Sequence, residues 1–492
     1  MPTSPVRAVL EALSRDSRIR GTSSESATSF LMDLMYFGDF SILEQVSSGD
    51  VFERVNLIGH KGPATGVPLV LVSTVSTSVE PVPALWPSLE GDGLAARTSA
   101  DGKKVHGLGA NGGKVDAVLK ILAGSRFRPE ELKRPLFFIA LSGEEAHGSG
   151  ARSIIETLPG GEGLALVHAP TALQLWTDHP GAVSLRLELT RKIRHRRMPP
   201  HAGFFEVRVQ GRSAHALAAG PAAPSAEATN HLPPAEDALA RGLEVLAALR
   251  RHGEVRVLSI EAGESANRVP GRCTLRVATS YDALPPLKKL FGSSVEAQPI
   301  ADGTSLPFPI EGIFQAWFDA RDAGLAAIEP RLGHLRNRPA ARPHRPHWTG
   351  RLVSDRDSIS GSIMVWTGPG VDNADLCERF AQAVQRALIG QEEIEVQIDV
   401  VQDRPAFAAS EGTEDFLDTM RASMRSAEVP YSVGGGLFTT DAALFRTHGF
   451  ETLVFGPGGP LDRLYRDDES IDASRIDATA LIYENLIRRH CL

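Results

Sequence analysis

The chain has 492 residues, of which 42% are hydrophobic and 23% are charged, and its formal net charge is −8. This length predicts two or three domains, because single hydrophobic cores stop growing below it. The negative charge argues against a general attraction to nucleic acid or to anionic membranes. We find no apolar run near the roughly 18 residues that span a bilayer, and no secretion signal at the N-terminus.

The three cysteines, Cys273, Cys377 and Cys491, are far apart in the sequence. Their spacing fits neither a disulfide framework nor a metal site. A reducing compartment suits such a chain, so we expect a cytoplasmic protein.

Helical and strand patterns alternate over the first third of the chain. Apolar spacing predicts helices at residues 6–14, 27–36, 114–123 and 148–157. Short apolar runs predict buried strands at residues 54–58, 67–72, 136–141 and 164–167. This alternation predicts an α/β sheet with helices on both faces.

The pattern changes after about residue 181. Antiparallel strands are predicted at residues 183–189, 205–209, 255–261, 272–278, 362–366 and 394–401, and helices at 235–251 and 375–389. Two helices on one face of an antiparallel sheet form an α+β lid. Residues 283–356 are rich in Pro, Arg and His in their later part, and we expect an insertion built from loops.

The last region returns to α/β character. It contains predicted helices at residues 414–426, 441–447 and 473–490, a buried strand at 452–455, and a glycine turn at Gly434, Gly435 and Gly436. The predicted architecture is therefore one α/β domain interrupted by a smaller α+β lid and dimerisation domain. The expected domains are residues 1–182, 183–402 and 403–492.

Short motifs stand at the ends of the predicted strands. They are Thr74-Val75-Ser76-Thr77-Ser78-Val79, Gly107-Leu108-Gly109-Ala110-Asn111-Gly112-Gly113-Lys114, Ser142-Gly143-Glu144-Glu145, Ala169-Pro170-Thr171 and Tyr465-Arg466-Asp467-Asp468-Glu469. In this order they resemble the motifs of the zinc exopeptidase family of acetylornithine deacetylase, succinyl-diaminopimelate desuccinylase, aminoacylase, carnosinase and carboxypeptidase G. The resemblance implies the fold just described, a homodimer, and an amino-acid- or peptide-like substrate.

The resemblance also implies where metal ligands should stand, and the chain departs from it there. The family motifs place a His or carboxylate at positions that here are Thr74, Ser76, Gly112, Ala169 and Tyr465. Only Glu145 keeps a ligand type. Because zinc requires about three or four His, Cys or carboxylate donors, we expect neither a two-zinc centre nor another cofactor.

Residues of the substrate site match the family better. The resemblance makes Glu144 the general acid/base and His215, in Gly211-Arg212-Ser213-Ala214-His215, a catalytic lid residue. It makes Asn267, the Gly434–Gly436 segment and Asp441 substrate-binding residues.

Several functions fit this pattern. We favour a metal-independent enzyme in which Glu144 moves protons in acyl transfer, cyclisation or a similar reaction. A non-catalytic relative that binds a ligand or partner is an alternative. A zinc amide hydrolase with relocated ligands is another, since His106, His147, His168 and His179 lie close to the motifs. A hydroxyl nucleophile among Ser73, Thr74, Ser76 and Ser78 is a further option.

Overall fold

The structure is a computed structural model that describes residues 4–15, 27–48, 53–75, 87–92, 94–142, 149–158, 162–192, 203–213, 236–263, 266, 268–279, 285–300, 309–333, 347–436, 438–459 and 469–492. The chain divides into two compact units. The first contains Met1–His179 and Ala406–Leu492, and the second contains Pro180–His334 and Pro339–Pro405. No helix of the described part combines the length and the apolarity that crossing a membrane requires.

The helices of the described residues are α1 (Pro5–Leu13), α2 (Ala27–Phe37), α3 (Gly113–Gly124), α4 (Ser149–Ile155), α5 (Ala238–His252), α6 (Pro285–Phe291), α7 (Glu311–Ile328), α8 (Asn373–Ala387), α9 (Glu414–Ser426), α10 (Ala442–Thr447) and α11 (Ala473–Cys491). The strands are β1 (Ser41–Ser48), β2 (Glu53–Lys61), β3 (Leu69–Thr74), β4 (Arg97–Thr98), β5 (Lys104–His106), β6 (Leu136–Leu141), β7 (Gly163–His168), β8 (Leu175–His179), β9 (Gly181–Arg191), β10 (Gly203–Gln210), β11 (Val255–Ala262), β12 (Arg272–Thr279), β13 (Val295–Pro299), β14 (His347–Ser354), β15 (Ser358–Thr367), β16 (Ile394–Arg404), β17 (Phe407–Ala408), β18 (Val433–Gly435), β19 (Phe450–Phe455) and β20 (Ser470–Asp472).

The first unit is built on a mixed sheet with the order β1-β2-β6-β3-β7-β19-β8-β17, and β18 pairs with β8. Strands β6, β3, β7 and β19 are parallel to one another. The strands β1, β2, β8 and β17 outside them pair antiparallel, while β18 pairs parallel with β8. Leu69 and Leu71 of β3 pack into one apolar layer, while Val70 and Val72 pack into the layer on the other face. Both faces of the central strands are covered, so the predicted α/β sheet is confirmed.

The second unit is an eight-stranded antiparallel sheet with the order β13-β10-β12-β11-β14-β15-β9-β16. Helices α5, α7 and α8 contribute apolar side chains to one core with this sheet. On α7, Trp317 is fully buried and its Nε1–H donates to the carbonyl oxygen of Leu187, 2.9 Å away.

The expectation of a loop insertion over residues 283–356 was wrong for the residues described there. Helix α7 lies in the middle of the core, and β14 is an interior strand of the sheet. Ile313, Trp317 and Leu325 have helical spacing and are all buried. The prediction gave more weight to the basic, proline-rich composition of the later part of this stretch.

A buried ion pair ties α3 to the central strands of the first unit. The Nζ of Lys120 lies 2.7 Å from an Oδ of Asp116, and both side chains are fully buried. The same ammonium donates to the carbonyl oxygens of Val72 on β3 and Leu166 on β7, at 2.7 and 3.2 Å. Its three donors are therefore all used. The carboxylate of Asp116 also accepts from Ser73 at 2.6 Å and from Tyr483 of α11.

Lys120→Met leaves the carboxylate of Asp116 buried without its countercharge. We expect the free energy of unfolding of the first unit to fall by about 3–5 kcal/mol. The double variant Lys120→Met/Asp116→Asn should recover most of that loss. Urea unfolding followed by hydrogen exchange, which reports the two units separately, measures it. The control Arg379→Met removes an exposed ion pair with Asp375 on α8 and should lower the free energy of unfolding by less than about 1 kcal/mol. Equal losses for Lys120→Met and Arg379→Met would contradict a structural role of the buried pair.

Candidate functional site

The site lies where the parallel strands β3, β6, β7 and β19 end. Chain order and sheet order differ here, because β3 has β6 on one side and β7 on the other. In α/β proteins such a reversal marks the crevice at the carboxyl ends of the strands where ligands bind, and we call this edge the crevice. The pairing between β3 and β7 stops at Val72 and Val167, so the last residues of these strands separate toward the crevice.

Glycines let four backbone segments approach one another at this edge. A Cβ on Gly113, the first residue of α3, would lie 1.6 Å from the carbonyl oxygen of Thr74. A Cβ on Gly458 would lie 2.0 Å from the oxygen of Asn111, and one on Gly456 would lie 2.3 Å from the oxygen of Ala169. Only glycine fits at these contacts, and they bring the ends of β3, β7 and β19 and the start of α3 together.

A buried carboxylate holds the glycine-rich loop that precedes α3. Glu469 accepts from the backbone N–H of Gly109 at 3.1 Å and of Asn111 at 2.6 Å. The side chain of Asn111 in turn donates to Ser470 O and accepts from Gly459 N–H, each at 3.0 Å. The sequence placed Glu469 in a motif but gave it no role. Its role is to fix the loop. The pairing of β20 with β5 holds the neighbouring parts of the same two segments together.

The structure places three of the expected ligand positions on this edge. Thr74 ends β3, Gly112 precedes α3, and Ala169 follows β7. A hydroxyl, a hydrogen atom and a methyl group are poor zinc donors, so these positions do not fit a two-zinc centre. Within the described ranges, no three His, Cys, Asp or Glu residues cluster as a metal site would require. Ser76, Glu144, Glu145 and Tyr465 lie outside the described residues.

The histidines near the motifs occupy different surroundings. His179 is fully buried, and its Nε2 accepts from the backbone N–H of Thr440 at 3.3 Å. His168 ends β7 and is 8% exposed, and its Nε2 is buried without a hydrogen-bond partner. Burial lowers the pKa of His168 to about 4. The Nδ1 of His106, on β5, is also buried without a partner. His147 lies outside the described residues.

The glycine segment at 434–436 is extended, so the prediction of a turn was wrong. Val433–Gly435 forms β18, parallel to β8, and Gly436 N–H donates to Asp178 O at 2.6 Å. A Cβ on Gly436 would lie 2.7 Å from the ring of Trp176, so the glycine lets this strand pass the indole. Consecutive glycines are typical of a turn, but here the glycine at position 436 is explained by its packing against Trp176.

Asp441 is the cap residue at the start of α10 and is buried. The hydroxyl of Thr440 accepts from Ala442 N–H at 3.1 Å and helps to begin this helix. Thr440 contacts His179 at the end of β8, and β18 pairs with β8, so both segments border this strand. His215 and Asn267, the two lid residues of the predicted site, lie outside the described residues.

Comparison with known proteins bears on the family. The family model "Peptidase family M20/M25/M40" matches residues 82–489. The chain belongs to this family. The match begins after the Thr74–Val79 segment, so the first motif rests on the strand placement of Thr74 alone. Comparison with curated protein sequences finds no match.

Solved peptidase structures share the fold. The aminoacylhistidine dipeptidase of Vibrio alginolyticus matches with 12% identity and a TM-score of 0.53, over 99% of this chain and 96% of that one. Human carnosine dipeptidase 1 matches with 10% identity and a TM-score of 0.51, over 98% and 96%. The metallo-carboxypeptidase Sso-CP2 of Sulfolobus solfataricus matches with 12% identity and a TM-score of 0.52, over 99% of each chain. At such identities the likeness shows the fold.

Gly113→Ala tests the close approach at the crevice. Alanine is the better helix former, yet its Cβ would overlap Thr74 O, so we expect the variant to lose about 2 kcal/mol or more of stability. Gly112→Ala is the matched control. A Cβ there meets its nearest atom at 3.4 Å, and the backbone at Gly112 is extended. The control should change stability by less than about 1 kcal/mol in urea unfolding; a stabilising Gly113→Ala would show that the segments are not in contact.

His168 should make stability depend on pH. Its pKa is about 4 in the folded protein and 6.5 in a free chain, so the unfolded chain takes up the proton first. This contribution is complete above pH 6.5 and is lost as the pH falls toward 4. Between pH 7 and pH 5 the wild type should lose about 2 kcal/mol more than His168→Leu. Urea unfolding of both proteins at the two pH values measures it, and equal losses would show that His168 titrates normally.

Proposed function

We propose that this M20 family member is an enzyme that acts on an amino-acid- or peptide-like carboxylate substrate without a two-zinc centre. One observation carries the proposal. Thr74, Gly112 and Ala169 lie together at the crevice, at family ligand positions, with side chains that zinc does not use. The frame of the site is kept while its donors are replaced.

The chemistry follows from what zinc supplies to its relatives. Bound zinc lowers the pKa of water to about 7 and polarises the carbonyl group. Without it, water activated only by a carboxylate base hydrolyses an ordinary amide too slowly, so an activated acyl group or an internal nucleophile suits this site better. Acyl transfer and cyclisation meet that condition, with Glu144 as the acid/base. Ser142, two residues before Glu144, directly follows β6 at the same edge, which supports this role.

The substrate carboxylate is assigned to the β18 segment, with Asp441, Asn267 and His215 as further site residues. Ser432 O and Gly436 N–H both bond to β8. The register of β18 against β8 shifts between Gly434 and Gly435, and we assign the carboxylate to backbone N–H groups at this irregular point. Two of the similar structures are dipeptidases by name, which guides the choice of candidate substrates.

The proposal includes a cytoplasmic homodimer with domains at residues 1–182, 183–402 and 403–492, and no nucleic acid or membrane partner. Cys273, Cys377 and Cys491 are all free thiols, as a reducing compartment requires. Burial raises the pKa of Cys273 and Cys491 to about 12, so neither is a nucleophile at neutral pH.

The test is turnover of a panel of dipeptides, tripeptides, N-acyl amino acids and their activated esters, with and without the chelator 1,10-phenanthroline. Activity should persist with the chelator, and Glu144→Gln should lower kcat about a hundredfold or more. Glu156→Gln removes an exposed carboxylate from the same region and should leave kcat unchanged.

Two results would replace the proposal. Activity that is lost with the chelator and returns with zinc indicates a hydrolase with relocated ligands. Binding of panel members without turnover, unchanged in Glu144→Gln, indicates a non-catalytic binding protein.

A further inference from the structure

The side chain of His168 has a polar atom that the fold does not satisfy. His168 is the last residue of β7 and directly precedes Ala169 at the crevice. It is 8% exposed, and its Nε2 is buried without a hydrogen-bond partner. A Cβ on Gly456 would lie 2.8 Å from the Cδ2 of this ring, so a glycine makes room for the imidazole beside Nε2.

The charged groups near His168, which are Lys120 and Asp116, already pair with each other. All three donors of the Lys120 ammonium are used by Asp116, Val72 O and Leu166 O. The carboxylate of Asp116 also accepts from Ser73 and Tyr483. This network is electrically balanced and leaves no partner for the imidazole. A buried polar atom without a partner is costly, and such atoms in native proteins call for an explanation such as a catalytic role or a bound molecule.

We propose that His168 is a substrate-binding residue of the crevice and that its Nε2 forms a hydrogen bond with an uncharged group of the substrate, an amide or a hydroxyl. The assignment rests on the proposed function and deepens it. Burial keeps the imidazole neutral, and the ion pair beside it carries no net charge. A substrate carboxylate placed beside the Nε2 of His168 would lose its hydration without gaining a countercharge. The carboxylate therefore belongs elsewhere in the site, and the neutral end of the substrate meets His168.

Variants of His168 separate ligand binding from a structural role. His168→Leu has a similar volume and removes the unsatisfied atom. At pH 7.5 without ligand its melting temperature should equal or exceed that of the wild type. Its Kd for the most tightly bound N-acetyl-L-amino acid, measured by calorimetry, should be roughly tenfold or more weaker. His168→Gln keeps a polar group near the Nε2 position and should restore most of the affinity.

His448→Leu is the matched control. The Nε2 of His448 is also buried without a partner, but His448 precedes β19 at the opposite edge of the same sheet. This variant should leave the Kd unchanged.

The outcomes distinguish the two proposals. If the wild type binds an N-acetyl-L-amino acid and His168→Leu binds it equally well, the assignment of His168 is overturned and the proposed function stands. A large fall in melting temperature for His168→Leu without ligand would also overturn the assignment, since it would show that the imidazole is a structural element. If no member of the N-acetyl-L-amino acid series binds the wild type, the assignment of His168 is overturned, while the proposed function is decided separately by turnover of the dipeptides, tripeptides and esters.

Discussion

The buried pair of Lys120 and Asp116 sets the geometry on which the first unit depends. A single ammonium joins α3 to the carbonyl groups of β3 and β7 at the level where these two strands stop pairing. Burial lowers the pKa of Lys120, and the carboxylate beside it opposes that change. Tyr483 adds α11 to the network. This buried, charge-balanced network, which we call the floor of the crevice, therefore supports the ends of β3 and β7. Because every donor of the ammonium is used within the fold, we assign this pair a structural role.

Above that floor, the edge of the site is made by backbone. Gly113, Gly456 and Gly458 bring α3, β3, β7 and β19 into contact, and Glu469 fixes the loop that precedes α3. These features do not require a metal. These contacts can therefore hold the M20 fold whatever side chains stand at Thr74 and Ala169, because they are made by backbone atoms and by Glu469.

Much of this architecture was predictable from the sequence. The helix at residues 414–426 and the strand at residues 136–141 were predicted with the bounds that the structure has. Their signals are strong, because apolar periodicity and buried apolar runs reflect local geometry. Helix α7 was missed since the composition of its neighbours outweighed its own spacing. The β18 strand was missed because Gly434 and Gly436 make room for the side chains of Gln174 and Trp176, which are distant in sequence. Likewise, no local pattern reveals that Asp116 and Lys120 face Ser73 and Tyr483.

The most direct test of the account is the metal content of the purified protein. The central claim is that the crevice of this M20 protein lacks the donors that two zinc ions require. Protein produced in zinc-supplemented medium and purified without chelators should contain far less than one zinc per chain by elemental analysis. Two zinc ions per chain, or one that is retained through dialysis and removed only by a strong chelator, would contradict it.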